Sequence, residues 1–337
     1  MKADFAFHDG TLLLYPTRRD VWRGDAKPIA ATVSGLAQLL SRYEPTVLGV
    51  LPGLDKKGIR AECGDAKVVE MLYDDVWVRD SGAVPTAGGL VKFGFNAWGG
   101  AEGLYGDWSR DATVPEQMSK MLKRELSLSP LTLEGGNLLC DGDGTLICIR
   151  DSIINDNRNP GITEAEAERL LTAALGVTRV IWIDEGLSHD ETGGHVDNLC
   201  AFASKDTLLI AWTDDESDPQ YGIVRRALER INSAPGKKYE IVKIPLPRAF
   251  LRTEDDCLGL EYPDGSKPRL PGEIIQPSYI NFIFANGAVI VPEFGDPADK
   301  EVLDIFKRLF QGREVVSYPA REVVLGGGGL HCITKNY

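Results

Sequence analysis

Residues 134-EGGNLLCDGDGTLICIR-150, followed by 163-TEAEAERLLTAALGVTRVIWI-183, hold one complete structural unit. Asp141-Gly142-Asp143-Gly144 puts turn residues at the tip of a hairpin. Thr163, with Glu166 three positions later, is a capping-box pattern, and Leu170, Leu171, Ala174 and Leu175 then follow at helical spacing. Residues 179–183 (RVIWI) are an apolar, β-branched run. The segment reads strand, strand, helix, strand.

The same order recurs along the chain. Hairpin-like segments occur at 76–95 around Ala87-Gly88-Gly89, at 195–212 around Ser204-Lys205-Asp206, and at 279–292 around Asn286-Gly287. Helices are predicted at 28–43, 115–126, 220–231 and 296–310. The last has Asp296 as cap, Pro297 at the first position, and a stripe of Val302, Ile305, Phe306, Leu309 and Phe310. Strands follow at 46–51, 131–133, 240–244 and 314–318. A fifth hairpin is split: 330–334 (LHCIT) supplies one strand and 11–15 (TLLLY) the other. One such unit cannot bury both its sheet and its helix, whereas five around an axis can. The expectation is an α/β fold: a five-bladed α/β propeller of ββαβ units about a pseudo-five-fold axis. It forms a single catalytic domain over 1–337, with both termini in one blade and 251–275 as an insertion. Two separate domains are the alternative.

Composition sets the broad class. The 337 residues carry 50 Asp+Glu against 37 Lys+Arg, a formal charge of −13 that disfavours nucleic acid and anionic membranes as partners. No stretch approaches the length of a membrane span, and there is no apolar signal core, so a cytoplasmic protein is expected. A chain of this length needs no disulfide staples, so its six cysteines are read as reduced thiols.

The opening strand of each predicted unit carries chemistry where apolar side chains are expected: Trp77-Val78-Arg79-Asp80, Glu134-Gly135-Gly136-Asn137, Gly194-His195-Val196-Asp197, Asn281 and His331-Cys332. In a five-fold ring, equivalent positions point to the axis, so Asp80, Glu134, His195, Asp197 and Cys332 converge. Buried charges of this kind are costly unless they face one another or a polar ligand. Taken singly, each has an ordinary reading: an inert thiol, a core histidine, a structural ion pair, a turn carboxylate. A metal site of His189, His195 and Asp197 lacks any CxxC or HExxH spacing, and no dinucleotide fingerprint is present. No cofactor and no metal are expected.

Carboxylates beside a thiol suit a planar cation whose N–H groups pair with them bidentately, and offer nothing to an oxyanion. The chemistry that fits is substitution at a guanidinium carbon. Asp80 and Asp197 hold the cation, Cys332 attacks, and His195 protonates the departing nitrogen and later activates water.

These residues lie in segments that resemble the agmatine deiminases, in the peptidylarginine deiminase-type branch of the guanidine-modifying (pentein) superfamily. The segments are Trp77–Gly82, Phe95-Asn96-Ala97-Trp98-Gly99-Gly100, Glu134–Asn137, Asp190–Asn198, Trp212–Glu216 with Asp218–Tyr221, Phe294–Pro297 and Gly326–Thr334, in order from about residue 10 to the end. The resemblance implies five ββαβ blades and hydrolysis of agmatine to N-carbamoylputrescine and ammonia, a polyamine-pathway step leading toward putrescine, through a thioether on Cys332. It implies Cys332 as nucleophile, His195 as acid/base, Glu134 assisting His195, and Asp80 and Asp197 as clamps. It further implies substrate contacts from Trp77, Glu191, Arg79, Asn137 and Trp98, with Glu191 toward the distal ammonium, and it suggests a homo-oligomer. The chain departs from the pattern at Ala83, Gly329 and Lys335-Asn336, where Pro, Asn and Gln-Gln are usual. Deimination of free or peptide-terminal arginine, and a non-catalytic guanidine-binding propeller, are the alternatives.

Overall fold

A computed structural model describes residues 1–337 apart from the Glu102 side chain. Its framework is five small mixed sheets with one connectivity, in a mixed α/β fold. In the third, the strand Leu139–Cys140 pairs antiparallel with Thr145–Ile149, which pairs parallel with Arg179–Ile183 after the helix Glu164–Leu175. The sheets containing Gly89–Gly94, Thr207–Trp212 and Ala288–Glu293 repeat this order. The remaining sheet joins the two ends of the chain: Lys335–Asn336 pairs antiparallel with Thr11–Leu14, which pairs parallel with Thr46–Val50.

Local signals placed the elements. The Thr163 side chain accepts from the Glu166 amide at 3.3 Å, and Gly176 ends that helix in the left-handed region at φ 66°. Along Thr145–Ile149, Leu146 and Cys148 pack with Ala167, Leu171 and Leu175 of their own helix. Ile147 and Ile149 join the core of the following unit, with Leu209 and Val224. The strand Thr145–Ile149 is thus covered on both faces, which is why it reads as an apolar run.

Three expectations are corrected. The opening segments of the units are not strands: Val78–Ser81, Gly135–Asn137 and Val196–Leu199 are single helical turns, and 279–281 and 330–333, the latter within the strand expected at 330–334, are turns and bends. Their amides bond locally, as in Asp80 N to Trp77 O at 3.1 Å and Asn137 N to Glu134 O at 3.1 Å, and the strand begins only afterwards. The helix expected at 115–126 ends at Leu122, because Lys123 turns left-handed at φ 55°, and the following strand already starts at Leu126. The helix expected from 296 starts at Asp299, with Asp296 accepting from the Ala298 amide at 2.8 Å ahead of it. The helix Lys56–Glu62, the edge strand Lys67–Glu70 and the hairpin Phe250–Leu251 with Ile274–Ile275 were not foreseen.

Candidate active site

The helical turns that open the units aim their side chains at one another. A Cβ placed on Gly136 would lie 2.8 Å from Asp80 Oδ1, 2.8 Å from His195 Nδ1 and 3.1 Å from Asp197 Oδ2. Only glycine leaves that floor open. Cys332 closes the group, its Sγ 3.5 Å from Asp197 Oδ2. Trp77, Asp80, Trp98, His195, Gly328 and Cys332 line one small cavity. A larger groove shares Asn198, Gly327 and Gly328 with it and is bordered by Glu191 and Asn281.

Each group is held from behind. Asp80 accepts from the Gly136 amide at 2.8 Å and from Trp98 Nε1 at 2.9 Å. To deliver that indole, Ala97 and Trp98 both adopt left-handed backbone, at φ 53° and 62°, a costly conformation for non-glycine residues. His195 sits between two carboxylates, with Nδ1 3.7 Å from Asp80 and Nε2 3.5 Å from Glu134. Asp190 fixes the backbone there, accepting from the His195 amide and from Asn198 Nδ2, both at 3.0 Å. Arg158 donates to Glu134 at 3.0 Å and to the Thr192 carbonyl at 2.7 Å. Asp197 contacts His331 Nδ1 at 2.9 Å, and His331 Nε2 lies 3.3 Å from Asp4 on the far side. Among the described residues, Glu134 Oε2, His195 Nε2 and Asp197 Oδ1 are buried without a hydrogen-bond partner.

The charges follow from that layout. Burial disfavours a charged His195, yet Asp80 and then Glu134 outweigh it and raise its pKa to about 10. Burial pushes the Cys332 thiol well above its ordinary value, and Asp197 and Asp80 add to this, against opposing contacts from the Gly329 backbone and Asn281. The surroundings thus disfavour a charged Cys332 and favour a charged His195. A cation in the cavity would stabilise the thiolate.

Arg79 and Asn137, expected as substrate contacts, face elsewhere. Arg79 points away from the cavity to the His331 carbonyl at 3.4 Å, Asp4 at 3.2 Å and Asn336 at 2.9 Å. The helical turn at Val78–Ser81 sends adjacent side chains apart, so Asp80 takes the inner position and Arg79 the outer. Asn137 clamps the next strand, exchanging bonds with the Ile149 backbone at 2.7 and 2.9 Å, and is fully buried. Trp77 and Trp98 do line the cavity, in an edge-on pair 6.4 Å between centroids. Glu191 borders the outer groove, where Arg269 donates to it at 2.8 Å. Arg158 and Asp4 carried no sequence signal, and His331 stood out only as the neighbour of Cys332, because their roles depend on partners 24 to 327 positions away. Asn281 occupied an equivalent unit position but suggested no chemistry by residue type. Among the described residues, no group of three His, Cys, Asp or Glu is disposed to hold a metal ion, and no helix is long and apolar enough to cross a membrane.

Repeated ββαβ connectivity with a thiol, an imidazole and three carboxylates where the units meet defines a class of α/β enzyme centred on a cysteine. The family model of the Porphyromonas-type peptidyl-arginine deiminases matches residues 1–337, and the chain belongs to that family. It is 40% identical to the agmatine deiminase of Pseudomonas aeruginosa LESB58, over 99% of this chain and 94% of that protein. It is 38% identical to the agmatine deiminase of Pseudomonas fluorescens Pf-5 over the same shares. The solved agmatine deiminase of Enterococcus faecalis superposes with a TM-score of 0.94 at 29% identity, covering 100% of this chain and 94% of that one.

Proposed function

We propose that this protein hydrolyses agmatine to N-carbamoylputrescine and ammonia through a covalent intermediate on Cys332. One observation carries the reading. The buried Cys332 thiol and the His195 ring line one small cavity with Asp80, Asp197 approaches the sulfur at 3.5 Å and Glu134 the imidazole at 3.5 Å, and among the described residues neither Asp80 nor Asp197 pairs with a lysine or arginine. They are the clamps for a planar cation, and agmatine deiminases of full-length similarity support the choice of cation.

The guanidinium enters with its N–H groups on Asp80 and Asp197, and its charge lowers the pKa of the Cys332 thiol, which gives its proton to solvent and becomes the thiolate. Sulfur attacks the central carbon: an S–C bond forms and the C=N electron pair moves onto nitrogen. His195, held charged by Asp80 and Glu134, gives its proton to the leaving nitrogen. The C–N bond breaks and ammonia departs, leaving an amidino-thioether. Neutral His195 then takes a proton from water, whose oxygen attacks the same carbon. Collapse of that adduct expels the Cys332 thiolate and leaves the urea group of N-carbamoylputrescine.

The five units are read as the blades of one propeller, a single catalytic domain over 1–337. Apolar clusters shared between successive units support this. They include the one that joins Ile290 of the last middle strand to Leu13 of the first. At the distal end, Arg269 already spends its charge on Glu191 and donates to the Gly326 carbonyl at 2.7 Å. Lys267 also lines the outer groove and makes no ion pair among the described residues, so the choice of agmatine over arginine rests on the full-length relatives. Ammonia release from agmatine and from arginine, on the parent and on Cys332→Ala, tests the proposal. Release from agmatine by the parent alone is expected, and a preference for arginine refutes the substrate assignment.

A further inference from the structure

Asn281 lies on the turn that opens the unit of Ala288–Glu293, 1% exposed, against Cys332. Its Oδ1 accepts from the His331 amide at 2.8 Å and from the Cys332 amide at 3.3 Å. Two backbone donors on one oxygen settle which end of the carboxamide is which. Nδ2 is therefore the group that contacts Cys332 Sγ, at 3.2 Å, together with the Asp197 carbonyl at 3.3 Å and Asn198 Oδ1 at 3.0 Å. Two amide hydrogens serve three acceptors. When the thiol ionises, the sulfur becomes the strongest of the three, and the donor needs no rearrangement to answer it.

We propose that Asn281 is a catalytic residue: its side-chain N–H stabilises the Cys332 thiolate, while its carbonyl fixes the backbone that presents the sulfur. The surroundings make such a donor necessary. Asp197 and Asp80 face the sulfur with negative charge, and His331, between Asp197 and Asp4, bonds Asp197 rather than the thiol. His195 is engaged by Asp80 and Glu134. Of the side chains touching the sulfur, Asn281 alone brings an N–H. The inference rests on Cys332 being the nucleophile of the proposed reaction.

Asn281→Asp separates the two roles. It keeps an oxygen for the His331 and Cys332 amides and replaces the N–H facing sulfur with a carboxylate oxygen. The measurement is the rate of Cys332 alkylation by iodoacetamide at pH 8, read by peptide mass, beside agmatine kcat/KM and a circular-dichroism spectrum. A thiol pKa raised by one unit lowers the thiolate fraction tenfold, so alkylation at least tenfold slower and kcat/KM reduced about 100-fold are expected in a folded protein. Asn281→Ser, too short to reach the sulfur, should slow alkylation several-fold and carries the test if the Asp variant does not fold. Alkylation within twofold of the parent in a folded variant overturns the proposal. Because alkylation needs no substrate, it decides the role of Asn281 even if agmatine is not turned over.

Discussion

His195 Nε2 faces Glu134 Oε2 across 3.5 Å in a pocket where both side chains are nearly inaccessible to solvent. Glu134 is itself held by Arg158 at 3.0 Å, so its position is set independently of the histidine. Together with Asp80, it raises the pKa of the ring to about 10, so in the proposed reaction His195 serves as an acid before it serves as a base. Glu134→Gln removes one of the charges that support the imidazolium. The alkaline limb of kcat/KM should move to lower pH, and turnover should fall by ~10²–10⁴-fold, as for loss of acid–base assistance. A pH profile of the variant checks both, and an unmoved alkaline limb would remove Glu134 from this role.

Cys332→Ser should fold normally and lose turnover by orders of magnitude. Asp197 and Asn281 are placed to orient or stabilise a thiol, whereas a hydroxyl needs a strong base beside it. Steady-state ammonia release measures this. Agmatine should also protect Cys332 from iodoacetamide, while Cys63, Cys140, Cys148 and Cys200, buried in apolar packing, react in neither condition.

Asp80→Asn and Asp197→Asn each leave the bound cation one charge short. Truncating one partner of a buried charge pair costs ~2–5 kcal/mol, so kcat/KM should drop by about 30-fold or more. The Asp197 change has a second expected effect. It takes a carboxylate from His331, so the pH dependence of the Asp197 variant should differ from that of the Asp80 variant. Either variant with a specificity constant within about twofold of the parent is not a clamp.

Glu191→Gln tests two effects at once. If Glu191 meets the distal ammonium, KM should rise with little change in kcat, and an alkylguanidine lacking the ammonium should be less affected. The change also leaves Arg269, 5% exposed, without its ion-pair partner. Thermal stability should therefore fall as well. A loss of stability with equal effects on both substrates would assign Glu191 to the fold alone.

Lys335 is 2% exposed and donates to the Arg79 carbonyl at 2.9 Å, with no carboxylate in its coordination. Burial, then the Arg79 charge, lower its pKa to about 7, against Asp80 and Asp4. The unfolded chain binds more protons at this site between about 7 and the usual lysine value. The resulting penalty on folding is therefore full below about pH 7 and is relieved as pH rises through that interval. Lys335→Gln should raise Tm by about 2 °C or more at pH 6, and by less at pH 10. Differential scanning calorimetry at the two pH values is the measurement, and an equal change at both would contradict a titrating lysine.

The sequence by itself determined the repeat. Capping at Thr163, apolar stripes such as Val302 and Phe306, and β-branched runs such as 179–183 are local, and so is the physics that folds them. It also singled out Asp80, Glu134, His195, Asp197 and Cys332, because charged and nucleophilic types at the head of core segments have no packing reason to be there. Tertiary structure decided which side chains face inward. In a strand, Arg79 and Asp80 would alternate in a fixed way, whereas the helical turn at Val78–Ser81 sends Asp80 to the cavity and Arg79 to Asp4. The supporting layer was likewise invisible: Arg158 behind Glu134, Arg269 on Glu191, and Asn281 against Cys332 at a separation of 51 positions. Such pairs depend on distance and orientation between remote parts of the chain. Local sequence encodes the propensity of each segment, while the direction of a side chain is fixed only when the units pack.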